Sequence, residues 1–204
     1  MKKILGDKTK YYDQSNNAQV ELFKDYFNKT KMIACGPTSF AMGLDIAGWP
    51  MDIFTPGEQP EDSILMIAHN PYNLNLFKEK RDLDYDKYPP NEVSQIYDVV
   101  AKILYNSDNV CKFKWGLTWS IIKENIINNI PMMIAGNFPA GGHYVLIVGF
   151  DDSKKTIIFN DPYKYQWRDK NGYNREMDLN FLNDKISKYR IEFYPYINNK
   201  EFTR

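Results

Sequence analysis

Three residues of this chain could cooperate in nucleophilic chemistry: Cys35, His143 and Asp161. Cys35 stands in the run Ile33-Ala34-Cys35-Gly36-Pro37-Thr38-Ser39-Phe40-Ala41-Met42. Pro37 fits a helix only in its first turn, where its missing N–H costs nothing. The helix is therefore expected to begin at or beside Cys35. A thiol there faces unpaired backbone N–H groups and the positive end of the helix dipole. That setting favours the nucleophilic thiolate. The plain alternative for any cysteine is a small buried hydrophobe. The Gly-Pro offset, and the partners found downstream, argue against it here. The second cysteine, Cys111, lies in Val-Cys-Lys-Phe-Lys without a helix start and is read as incidental.

A cysteine nucleophile needs a base, and the base needs a group to orient it. The chain has two histidines. His69, in Ala-His-Asn-Pro, reads as a surface or capping residue at a turn. His143 follows Gly141-Gly142 and opens the apolar run Tyr144-Val145-Leu146-Ile147-Val148-Gly149-Phe150. Alone, such a histidine would be an ordinary core residue. A polar turn at Asp151-Asp152-Ser153-Lys154-Lys155 then leads into Thr156-Ile157-Ile158-Phe159 and Asn160-Asp161-Pro162, the pattern of a β-hairpin. Folding it about Asp152 sets Asp161 across from His143, Val145 across from Phe159 and Ile147 across from Ile157. Opposed residues share a face and lie about 4.5–5.5 Å apart. A slip of one residue would put the two side chains on opposite faces. Gly141 and Gly142 would let a substrate backbone approach closely, or simply turn the chain into the strand.

The elements that must position these groups are readable in outline. The helix from Cys35 carries Phe40, Ala41, Leu44 and Ala47 at helical spacing and stops at Gly48 and Pro50. Residues 10–14 read as a short strand, 15–19 as a polar loop and 20–27 as a turn of helix. Residues 52–88 read as an irregular insertion pinned by Met66, Tyr72, Leu76 and Phe77, with a solvated charged face at 78–82. Residues 92–105 read as an amphipathic helix with Val93, Ile96, Tyr97, Val100, Ile103 and Leu104 inward. A helix over 118–128 has Thr118 as N-cap and Ile121, Ile122 and Ile126 inward, and Pro131 follows it. Residues 132–137 read as a buried strand, 163–175 as a polar aromatic loop, 179–186 as a short helix and 189–196 as a final strand.

Length and composition bound the rest. The 204 residues suit one domain spanning 1–204. The formal charge is zero, so no electrostatic footprint for nucleic acid or an anionic membrane is expected. Two cysteines imply no disulfide framework. With two histidines and no cysteine cluster, no metal or cofactor site is expected. Met1-Lys2-Lys3 starts like a signal peptide, but the chain turns polar after Leu5 and builds no apolar core segment. No run approaches the roughly 18 apolar residues of a membrane span. The expectation is a soluble chain made in the cytoplasm without a signal peptide, able to act on a cell wall if released.

Four elements in order carry a family resemblance: Tyr12-Asp13-Gln14, Cys35-Gly36-Pro37-Thr38-Ser39, Gly142-His143-Tyr144-Val145 with Gly149, and Asn160-Asp161-Pro162. The chain resembles the C39-like branch of the papain-like cysteine peptidases. Each element alone is a weak signal; together they are specific and span most of the chain. The resemblance implies an α+β, papain-like fold with the nucleophile helix packed on an antiparallel sheet. It implies Cys35 as nucleophile, His143 as base and acid, and Asp161 as orienter. It further implies that Gln14 donates to an oxyanion hole with the Cys35 backbone N–H as second donor. Without it, Gln14 reads as an exposed polar residue. The 52–88 insertion departs from the family pattern.

The expected activity is hydrolysis of a peptide or amide bond. One substrate class is the peptide cross-link of peptidoglycan, as in phage-type lysins; against it stand the neutral charge and the lack of a visible wall-binding module. A second is a protein or leader peptide. A third reading is a non-catalytic binding module on a papain-like scaffold, against which the retained Cys35, His143 and Asp161 argue.

Overall fold

The computed structural model describes residues 1–16, 34–54, 59–69, 97–138, 141–178, 180 and 186–197. Its strands are β1 (Lys2–Ile4), β2 (Cys111–Trp115), β3 (Met132–Phe138), β4 (Gly141–Asp151), β5 (Thr156–Asn160), β6 (Arg175–Asp178) and β7 (Ile186–Phe193). Its helices are α1 (Cys35–Ile46), α2 (Pro60–His69), α3 (Tyr97–Tyr105) and α4 (Trp119–Ile127). The strands form one sheet in the order β2-β7-β3-β4-β5-β6, with β1 beside the far end of β4. Every pairing is antiparallel.

Strand alternation divides the apolar residues between the two faces of the sheet. Met133, Leu146, Val148, Ile158, Ile191 and Phe193 share a core with Phe40 and Leu44 of α1, Ile64 of α2 and Val100 of α3. Met132, Ile134, Val145, Ile147, Ile157 and Phe159 pack on the opposite face with Ile122 and Ile126 of α4. Thr118 caps α4 as expected, accepting from the Ile121 N–H at 3.3 Å. The fold is thus mixed α/β with an antiparallel sheet.

Several local expectations give way. Residues 10–14 are not a strand: two 3-10 turns, Lys8–Lys10 and Gln14–Asn16, flank an extended link. The N-terminal strand is instead Lys2–Ile4, and the Leu5 N–H extends its docking by donating to the Val148 carbonyl at 2.8 Å. The 52–88 stretch is not irregular throughout, because Pro60–His69 is helical. Pro60 starts that helix, Glu61 and Asp62 sit in its first turn, and Ile64, Leu65 and Ala68 are buried. Met66, read as pinning this segment, is 45% exposed, and Ile103, read as inward on α3, is 43% exposed. Ile186 opens β7 rather than ending a helix, and β2 and β6 occupy segments read without strands. The readings at 20–27, at Tyr72, Leu76 and Phe77, at 78–82, at Val93 and Ile96, and at 181–185 lie outside the described residues.

The hairpin register is the correction that bears on function. Asp151 pairs with Thr156, Phe150 with Ile157 and Gly149 with Ile158; beyond an irregularity, Ile147 pairs with Phe159 and Leu146 with Asn160. Val148 is the extra residue of a β-bulge. The expected pairs Val145 with Phe159 and Ile147 with Ile157 do not form. The bulge shifts the count by one, so that Val145, Ile147, Phe150, Ile157 and Phe159 all face one core. Carried one residue past Asn160, this register sets Asp161 across from Val145. Asp161 is then two positions from His143 and on its face. Without the bulge the count would be odd and the two side chains would part.

Candidate active site

Cys35 is the first residue of α1, and Ala34 at the N-cap brings no capping side chain. Cys35 is 7% exposed. Gly36 is dictated by close approach: a Cβ there would overlap the hydroxyl of Tyr97, whose ring stacks on Phe40 at 4.7 Å. One turn along the helix, Ser39 donates its hydroxyl to the Tyr144 carbonyl at 3.3 Å. Residues four apart share a helix face. The bond therefore ties the Cys35 face of α1 to the strand residue next to His143.

His143 lies on β4 opposite Gly136 of β3, 6% exposed, with the Phe138 ring edge-on at 5.9 Å. Its Nε2 meets Asp161 Oδ1 at 2.7 Å. Opposed diagonally rather than directly, the two residues are still within side-chain reach. The remaining ring nitrogen, Nδ1, is left for Cys35, whose thiol lies near enough to the imidazole to shift its titration. Burial pushes the imidazole pKa down. The hydrogen bond to the Asp161 carboxylate, together with the interactions with Cys35, outweighs burial and raises it to about 9.

Asp161 is fully buried. Oδ1 accepts from His143 and from the Tyr163 N–H at 2.8 Å. Oδ2 accepts from the Trp167 indole N–H at 2.9 Å and from the Gln166 amide. Its backbone is held as closely: its N–H donates to the Gly172 carbonyl at 2.8 Å, and the Tyr11 hydroxyl donates to its carbonyl at 2.8 Å. A Cβ on Gly172 would overlap both the Asp161 carbonyl and the Tyr11 hydroxyl, so only glycine fits there.

Gln14, expected to be exposed when read without the resemblance, is 1% exposed. Its N–H donates to the Pro162 carbonyl at 3.0 Å. Next to it, Asp13 accepts from the Ser15 N–H at 3.0 Å and pairs with Lys164 at 2.5 Å. Gln14 is thereby tied to the segment that follows Asp161. Gly142 is exposed and a Cβ there would meet nothing within 4 Å; Gly141 and Gly142 pair with Phe138 and Asn137 at the start of β4. Cys111 is buried on β2, its thiol directed at the Tyr97 carbonyl at 3.6 Å, and burial pushes its pKa well up. His69 ends α2. Among the described residues no cluster of His, Cys, Asp or Glu could hold a metal, and no helix is long and apolar enough to cross a membrane.

His143 is thus hydrogen-bonded to Asp161 and has Cys35 beside it, with the Gln14 backbone tied in on the Asp161 side. Ser39 and Tyr97 stand in segments already read as the motif helix and an inward stripe, whereas Gln166, Trp167 and Gly172 were not singled out by the sequence. Trp167 and Gln166 carried only the weak signal of an aromatic in a polar loop, and Gly172 that of a glycine after charged residues.

No curated protein matches the chain. Among solved structures, a Bacillus anthracis protein provisionally described as a C39-like peptidase is similar, with a TM-score of 0.50 at 12% identity. The likeness covers 96% of this chain and 99% of that one, and at this identity it speaks for the fold alone. The sequence profile of one family matches residues 7–191, which contain Gln14, Cys35, His143 and Asp161 alike: the chain belongs to the Peptidase_C39 like family.

Proposed function

We propose that the protein is a papain-like cysteine peptidase, a single catalytic domain that cleaves peptide or amide bonds with a Cys35–His143–Asp161 triad. The observation that carries this reading is a buried helix-start thiol beside an imidazole that is hydrogen-bonded to a buried carboxylate at 2.7 Å.

His143 takes the Cys35 proton on Nδ1, giving a thiolate–imidazolium pair. Asp161 keeps Nε2 protonated and stabilises the imidazolium. The thiolate attacks the carbonyl carbon of the scissile bond, and the carbonyl oxygen becomes an oxyanion. Gln14 and the Cys35 backbone N–H stabilise it, at about 3–4 kcal/mol per donor. As the tetrahedral adduct collapses, the C–N bond breaks and His143 returns its proton to the leaving amine. Water, deprotonated by His143, then hydrolyses the thioester and frees Cys35. Gly142, exposed and without crowding at its Cα, gives the substrate backbone room beside His143, with Gly141 leading into it.

Family membership supports a protein or peptide substrate. Peptidoglycan cross-links are the first class to test and leader or protein peptides the second. The deciding experiment incubates wild type and Cys35→Ala with purified sacculi and with denatured casein, and reads released fragments by mass spectrometry. Wild type should release fragments from one of the two and the variant from neither. Equal release by the variant would overturn the reading. A wild type silent on both, with an unreactive Cys35, would favour the binding module.

A further inference from the structure

Asp161 is held far more tightly than the contact with His143 requires. An orienting carboxylate needs one oxygen for the imidazole. Here Oδ2 is occupied as well, by the indole N–H of Trp167 at 2.9 Å and by the Gln166 amide. Both donors come from the segment just after Asp161, around the 3-10 turn Lys164–Gln166.

Trp167 is itself fixed from two sides. Its ring packs on Phe159 of β5, with centroids 6.2 Å apart. Arg175 covers it, with the guanidinium carbon 4.2 Å from the ring centroid. Arg175 is anchored at 2.7 Å by Asp169. Its charge is thus directed to the indole and to Asp169. An indole with two flanks fixed can hold its N–H on a single oxygen. The same turn carries Lys164, whose pair with Asp13 reaches the segment of Gln14.

We infer that Trp167, assisted by Gln166, is a positioning residue: it locks the Asp161 carboxylate so that Oδ1 alone is presented to His143. A carboxylate without donors on Oδ2 can rotate and offer either oxygen, or neither squarely. With Oδ2 pinned, rotation would break two charge-assisted hydrogen bonds at once. The inference rests on the triad reading of His143 and Asp161, and Trp167 itself touches no reacting atom.

The test uses the full chain as wild type, His143→Ala, Trp167→Phe, Asp161→Ala and the Trp167→Phe/Asp161→Ala double variant. Phe keeps a ring between Phe159 and Arg175, removes the donor and trims the fused second ring, a packing loss that the Asp161→Ala background controls for. Two readouts are taken. One is the rate of Cys35 alkylation by iodoacetamide, followed by mass spectrometry. The other is the downfield proton of the His143 Nε2–H in protein labelled with ¹⁵N-histidine, which two histidines make simple to assign.

Trp167→Phe should slow alkylation about tenfold, as expected for one lost bond to a charged group. It should also speed solvent exchange of the His143 proton. In the Asp161→Ala background the same change should alter alkylation less than about twofold, because Trp167 acts only through Asp161. An equal slowing in both backgrounds, or none in either, with an unchanged His143 proton, would overturn the inference. Gln166→Ala, on a half-exposed residue, gives the same readouts should Trp167→Phe fold poorly. Should His143→Ala leave alkylation unchanged, the triad reading fails, and the His143 proton still reports whether Trp167 orders Asp161.

Discussion

Asp161→Asn is the perturbation whose outcome the hydrogen-bond geometry constrains most. The wild-type carboxylate accepts from four donors, two on each oxygen. An asparagine offers one accepting oxygen and an NH₂ group. The better orientation keeps the oxygen toward His143 and Tyr163 and turns the NH₂ toward Gln166 and Trp167. Gln166 can answer by flipping its amide, since its Oε1 is buried without a partner. Trp167 cannot, because an indole only donates. The variant thus loses one charge-assisted bond outright and sets two donors against each other. The surviving bonds become neutral. A bond to a charged group is worth about 1.5–3 kcal/mol and a neutral one about 1, so one bond lost and three weakened should cost about 3 kcal/mol or more. Urea unfolding at pH 7 measures it. Turnover should fall about tenfold or more, because the neutral amide stabilises the imidazolium less well. The same geometry fixes a sign: Trp167→Phe should destabilise the wild type more than it destabilises Asp161→Asn, because in the variant its lost N–H no longer faces an acceptor. Equal, additive losses in both backgrounds would refute this reasoning.

Other outcomes follow from the same contacts. Gln14→Ala should cut turnover about a hundredfold or more with KM little changed, as for loss of one oxyanion donor; steady-state kinetics decide it. Gly172→Ala should destabilise by about 1–3 kcal/mol in thermal unfolding and impair turnover, because its Cβ overlaps the Asp161 carbonyl and the Tyr11 hydroxyl. The His143 pKa is raised in the folded state, from the ordinary 6.5 to about 9. Its contribution to stability is therefore complete below about pH 6.5 and is lost as pH rises through about 9. Wild type minus His143→Gln, measured by urea unfolding between pH 6 and pH 10, should show that loss; a flat difference would contradict it.

Local signals gave the sequence reading its strength. Pro37 marks the first turn of a helix, and α1 does begin at Cys35. Thr118 reads as an N-cap and caps α4. The alternation of Val145, Ile147, Ile157 and Phe159 reads as one face, and the four share one core. Register was not legible, because a β-bulge leaves little trace in sequence. Val148 is as apolar as its neighbours, and only the packing of β1 and β5 on β4 reveals it as the extra residue. The expected meeting of His143 with Asp161 occurs, across a diagonal reached through that bulge rather than by direct opposition. α2 was legible and overlooked: Pro60 followed by Glu61, Asp62 and a buried Ile64-Leu65 pair is a helix start inside a polar stretch. The lock on Asp161 was not legible. Trp167, Gln166 and Gly172 gain their meaning only once the chain turns back on itself, and nothing in their local sequence names Asp161 as the partner.

Cys35 is proposed as the nucleophile of an acyl-transfer reaction. Rapid acid quench of the wild-type protein during turnover, with whichever of sacculi or casein it cleaves, traps the covalent intermediate for peptide mapping. An acyl thioester is expected on the peptide containing Cys35, absent in Cys35→Ala and with Cys111 unmodified. Turnover that persists in Cys35→Ala, or an acyl group mapped to Cys111, would contradict it.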